Sequence, residues 1–123
     1  MRPEEASDRI RGAILARPEL RWKSEDVTRD LADKWNVEDR VSPYVGFCYI
    51  ATQVFCNLVP DAVPMTDGAR KHFWAELDGK VWDLTIDQFG SEGYDHSIGR
   101  TTRFKGMCRR ARELRSTALG VLC

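Results

Sequence analysis

The sequence has no long apolar run. In 123 residues nothing approaches the ~20 consecutive apolar residues of a membrane-spanning helix, so no membrane contact is expected. The opening Met1-Arg2-Pro3-Glu4-Glu5 leads straight into charged residues, so a secretory leader is not expected either. The four cysteines (Cys48, Cys56, Cys108 and Cys123) fall at irregular spacings with no C-x-x-C pair. Cys48 and Cys56, if on one helix, lie about 12 Å apart along its axis, too far to bridge. Free thiols in a cytoplasmic protein are therefore expected. Histidine is scarcer still, with His72 and His96 alone, and Cys48, Cys56, His72 and His96 lack metal-ligand spacing. Neither a metal nor a cofactor is expected. Net charge is also missing, yet residues 51–92 hold seven acids against three bases and residues 93–123 seven bases against two acids. Any attraction to acidic partners should therefore come from the tail.

What is present is organised around Lys71 to Ile86. Apolar residues alternate on both sides of Asp78-Gly79, a strong hairpin signal. A two-residue turn there pairs Leu77 with Lys80, Glu76 with Val81, Ala75 with Trp82, Trp74 with Asp83, Phe73 with Leu84 and His72 with Thr85. Phe73, Ala75, Leu77, Trp82, Leu84 and Ile86 then share a core face. His72 and Asp83 become diagonal neighbours on the other face, about 7–8 Å apart between backbones and within reach of an imidazole–carboxylate bond.

Around the hairpin the periodicity predicts helices. The first spans residues 4–16, with Ala6, Ile10, Ala13 and Ile14 on one side and Pro18 at its end. A second starts after Ser24 and turns Val27, Leu31 and Trp35 inward, followed by a polar turn from Asn36 to Pro43. The most apolar one covers roughly 46–59, where Phe47, Cys48, Ala51, Val54, Phe55 and Leu58 form a stripe. Residues 61–68 read as loop, and so do most of 88–103. A third strand is expected near 100–104. The last helix, about 105–119, places Met107, Ala111, Leu114 and Ala118 on one face and arginines elsewhere. The chain is read as one α+β domain over residues 1–123. N-terminal helices and the Cys-bearing helix pack on a small antiparallel sheet, and a basic helix closes it.

Cys48 sits near a helix start, where unpaired N–H groups favour a thiolate. With His72 as base and then acid, and Asp83 orienting the imidazole, the three have the logic of an activated nucleophile. The backbone N–H of Cys48 is a candidate oxyanion donor. Tyr44, Tyr49 and Trp74 are the expected pocket walls. Trp82 is read as core, and His96, in a Gly/Ser-rich loop, as a bystander.

Gly46-Phe47-Cys48-Tyr49-Ile50-Ala51, then His72-Phe73-Trp74, then Trp82-Asp83-Leu84-Thr85 resemble the transglutaminase-like branch of papain-type cysteine enzymes. The match is closest to small bacteriophage proteins with this core. Tyr94, Gly99, Phe104 and Arg110-Ala111 follow in similar order, and the likeness covers about residues 42–115. Ser42 stands where papain-like proteases carry an oxyanion Gln. The resemblance implies a compact papain-like core and thioester chemistry on an amide: hydrolysis, deamidation or acyl transfer. It also implies Cys48, His72 and Asp83 as catalytic residues and a protein or peptide substrate, met in a host cytoplasm if the chain is phage-borne. The competing expectation is a non-catalytic phage or bacterial binding protein, with Arg109, Arg110 and Arg112 holding nucleic acid or an acidic partner.

Overall fold

A computed structural model describes residues 1–21, 43–44 and 46–120. The helix expected after Ser24, the turn that follows it up to Ser42, and Cys123 lie outside the described residues. Those described form an α+β domain: three helices against a four-stranded antiparallel sheet.

Helix α1 is Pro3–Ala16. Pro3 stands in its first turn, where no N–H is needed, and Glu4 and Glu5 face the positive end of the dipole. Its buried side carries Ala6, Ile10, Ala13 and Ile14, as the spacing predicts. Helix α2, Cys48–Leu58, is the central one. It buries Ile50, Ala51, Val54 and Phe55 together with Thr52 and Gln53, so most of its circumference is covered. Gly46 enters it with φ 85°, a left-handed conformation that a side chain would strain. That turn delivers Cys48 as the first helical residue. Helix α3, Arg109–Ala118, turns Ala111, Leu114 and Ala118 inward and packs on α1 and α2. It begins four residues later than expected. Residues 105 and 106 are bends, and Gly106 is costly to hold in a helix. Met107 accordingly precedes the helix.

The strands are β1 (Val63–Thr66), β2 (Phe73–Leu77), β3 (Lys80–Trp82) and β4 (Arg100–Thr101), in the order β3-β2-β1-β4. The hairpin has the expected register, with Ala75 opposite Trp82, Glu76 opposite Val81 and Leu77 opposite Lys80. Asp78 and Gly79 both take positive φ (51° and 78°), as a type I′ turn requires. The ladder stops at Trp82, so the outer pairs predicted for Asp83, Leu84 and Thr85 do not form as strand pairs. The chain turns there into a 3-10 segment, Ile86–Glu92.

Residues 61–68 are not all loop. β1 pairs along β2, with Pro64 opposite Ala75. The Pro64 carbonyl accepts from Thr102 N at 2.9 Å, so the nitrogen that lacks a proton faces the same side, just beyond the end of two-residue β4. Proline costs the ladder little there. β4 itself is shorter than the strand expected near 100–104. The α2 helix covers β2, and Phe55 stacks on Trp82 at 5.7 Å. Arg11 ties α1 to the turn after β3, donating to Leu84 O at 2.7 Å and to Asp87 at 2.6 Å.

Candidate active site

His72 precedes β2, and its backbone carbonyl accepts from the buried Thr66 hydroxyl at 2.9 Å. Asp83 follows β3. Hairpin register therefore brings both to the same end of the sheet, as the sequence predicts. His72 Nε2 lies 2.6 Å from Asp83 Oδ2, with both side chains nearly closed to solvent (4% and 3% exposed).

The second carboxylate oxygen is also held. Thr85 N donates to Asp83 Oδ1 at 3.2 Å and the Thr85 hydroxyl at 3.4 Å, a turn in which Asp bonds its own backbone two residues on. A fourth donor comes from His96, whose Nε2 lies 2.8 Å from Oδ2. His96 is thus no bystander. Burial alone would push the Asp83 carboxyl up, but the bonds and charges of His72 and His96 hold it below its ordinary value.

Cys48, 5% exposed, completes the set from the start of α2. Its side chain interacts with His72 and helps to raise the imidazole. With Nε2 committed to Asp83, Nδ1 is the nitrogen left for sulfur. Burial opposes a charge on His72, yet Asp83 and Cys48 outweigh it and raise the imidazole to about 9. At neutral pH the ring is therefore an imidazolium. Burial pushes the Cys56 thiol up to about 12. Cys48, Cys56 and Cys108 are all unpaired with one another.

Gln88 was not visible as a site residue. It is buried, donates to Thr85 Oγ1 at 2.8 Å and places the same amide nitrogen 3.5 Å from His72 Nδ1. Aromatic rings seal the imidazole: Phe89 and Tyr94 each lie at 4.6 Å and Trp74 stacks at 5.6 Å. Burial raises the Tyr94 hydroxyl above its ordinary range, helped by Asp67, to which it donates at 3.1 Å.

Of the expected pocket walls, Tyr49 is half-buried and packs edge-on against Phe73 and Phe104 at 5.0 and 5.5 Å. Trp74 is 0% exposed and packs on both histidine rings, stacked on His72 at 5.6 Å and edge-on to His96 at 5.0 Å. Tyr44 belongs to the core, with the Arg11 guanidinium 4.1 Å above its ring. Arg109 pairs with Glu113 at 3.1 Å and Arg112 donates to Met107 O at 2.9 Å, while Arg110 is half-buried.

Among the described residues, His72, Asp83 and His96 form a set of donors that could share a cation, with ligand atoms within 4.8 Å of one another. Metal binding would replace the Nε2 protons that both rings now direct at Asp83. No helix among the described residues is long and apolar enough to cross a membrane.

The family model of the YunG protein matches residues 14–118. The chain belongs to the YunG family. The match takes in Cys48, His72, Asp83, Gln88 and His96, so the whole candidate site of this YunG-family chain lies within it. Comparison with curated proteins and with solved structures finds no match.

Proposed function

We propose that this YunG-family protein is a cysteine-dependent amide hydrolase or acyltransferase working through a thioester. The observation that carries the reading is the His72 imidazole held between Cys48 and Asp83. The order of the three along the chain, similar to that of transglutaminase-like enzymes, supports it, as does an α+β arrangement with the nucleophile at a helix start.

The Cys48 thiolate attacks the amide carbonyl carbon, forming a C–S bond as the carbonyl electrons move to oxygen. The developing oxyanion is met by the Cys48 backbone N–H, one of the first four in α2 without an intrahelical acceptor, and by the Gln88 amide. When the C–N bond breaks, His72 gives its proton to the departing amine. The thioester then takes water or a second amine, whose proton passes to His72, and the C–S bond breaks to return the thiolate. Asp83 keeps the ring oriented and stabilises its cationic form.

Incubation with glutamine-bearing peptides and a primary amine, followed by mass spectrometry, tests the reading. Cleavage, loss of ammonia or amine incorporation, each abolished in Cys48→Ala, is expected. Product formed equally by Cys48→Ala would overturn it.

A further inference from the structure

Apart from the triad lies a cavity of about 530 Å³. Tyr49, the residue after Cys48, forms one wall, and Phe104 and Met107 supply further apolar surface. Phe73, the residue after His72, packs on both Tyr49 and Phe104. The cavity thus meets the Cys48-bearing helix through Tyr49, while Cys48, His72 and Asp83 are not among its lining residues. Its rim carries Arg70, Arg103 and Lys105, all exposed, and no Asp or Glu is among the described residues that line it. Arg70 lies over the Phe73 ring at 5.6 Å and donates to Thr102 Oγ1 at 3.3 Å, and it makes no ion pair among the described residues. Arg103 and Lys105 pair with no carboxylate among the described residues. The volume falls within the range of about 300–1,000 Å³ typical of ligand sites.

We infer that this cavity recognises an acidic peptide segment of the substrate protein, at a docking site separate from the amide brought to Cys48. The inference rests on the proposed thiol chemistry, which acts on amides. Three uncancelled cations select anionic side chains, and the aromatic and Met floor takes the apolar parts of a peptide. The basic residues that matter for binding are thus those of the β1–β2 connection and of residues 103–105, ahead of those on α3.

Binding is measured on full-length Cys48→Ala by fluorescence anisotropy, which separates recognition from chemistry. The probes are a short labelled peptide of alternating Glu and Leu, its Lys and Leu counterpart, and a single-stranded oligothymidylate. The Glu peptide should bind, weaken with added salt, and lose at least about tenfold in affinity in the Arg70→Gln/Arg103→Gln/Lys105→Gln variant. Arg109→Gln/Arg112→Gln should change it far less. The inference is overturned if the Glu peptide binds no tighter than the Lys peptide. It is equally overturned if the α3 pair costs as much as the cavity triple, or if the oligothymidylate binds tighter with the same dependence on the triple. Salt dependence of the unsubstituted rim gives a reading even if the triple variant folds poorly. Absence of peptide binding while Cys48 of the unsubstituted chain alkylates fast sinks the cavity alone, whereas slow alkylation there with peptide binding present in Cys48→Ala sinks the triad alone.

Discussion

His96 Nε2 stands 2.8 Å from Asp83 Oδ2, the same oxygen that His72 holds at 2.6 Å. One carboxylate thus serves two imidazoles, one almost sealed and one 19% exposed. His96 competes with His72 for Asp83, whether as a neutral donor or as a cation. Replacing His96 with Phe leaves the carboxylate to His72 alone. The His72 titration, followed by imidazole NMR, should therefore move upward from about 9. A downward shift would mean that His96 does not share the carboxylate. Losing a buried partner should also cost about 1–3 kcal/mol of stability.

Stability should depend on pH through the same ring. His72 binds its proton more strongly folded than unfolded, near 9 against an ordinary 6.5. Its contribution is complete below 6.5 and is lost as pH rises through 9, a loss of about 3 kcal/mol relative to a His72→Gln chain. Asp83 works in the opposite sense. Its carboxyl is held below the ordinary 3.8, so its contribution is present above that value and lost on further acidification. The His72–Asp83 bond underlies both effects and counts once. Urea denaturation across pH, run on both chains, checks the sign.

Gln88 separates carbonyl chemistry from thiol reactivity. Its amide, 3.5 Å from His72 Nδ1, is assigned to the oxyanion. Gln88→Ala should lower amide turnover by about 10²–10³, with a much smaller effect on alkylation of Cys48. Equal losses in both assays would place Gln88 in ring orientation.

Gly99 allows the His96 segment to lie against the sheet. A Cβ at this position would run into the Trp74 indole, and Gly99 N also donates to His96 O at 3.1 Å. Gly99→Ala should cost about 1–3 kcal/mol and pull His96 off Asp83, giving the same upward His72 shift as His96→Phe. Wild-type stability and titration in this variant would contradict the packing described.

The parts of this arrangement that could be read from the chain follow from local rules. Asp78-Gly79 forces a turn type, the turn sets register, and register puts His72 and Asp83 at one end of the hairpin. α1 and α2 announce themselves through Ile10, Ile14, Val54 and Phe55 at helical spacing. β1 was hidden because Pro64 argues against a strand, and only its position beyond the end of β4 makes it harmless. Gln88 and His96 were hidden for another reason. They sit in 3-10 turns with no periodicity, and their role comes from where Asp83 and Trp74 lie in space. Trp74 shows the converse: alternation assigned it to the face of His72, but the loop bearing Tyr94 and His96 closes over that face and buries it.

The central claim is a thiolate at Cys48 sustained by the His72 imidazolium. Its most direct test is the rate of Cys48 alkylation by iodoacetamide at mildly acidic pH, mapped by peptide mass spectrometry. Cys48 should react faster than Cys56, faster than Cys108 and faster than the same thiol in the urea-unfolded chain, and His72→Gln should remove the advantage. Alkylation of Cys48 no faster than in the unfolded chain would contradict the account.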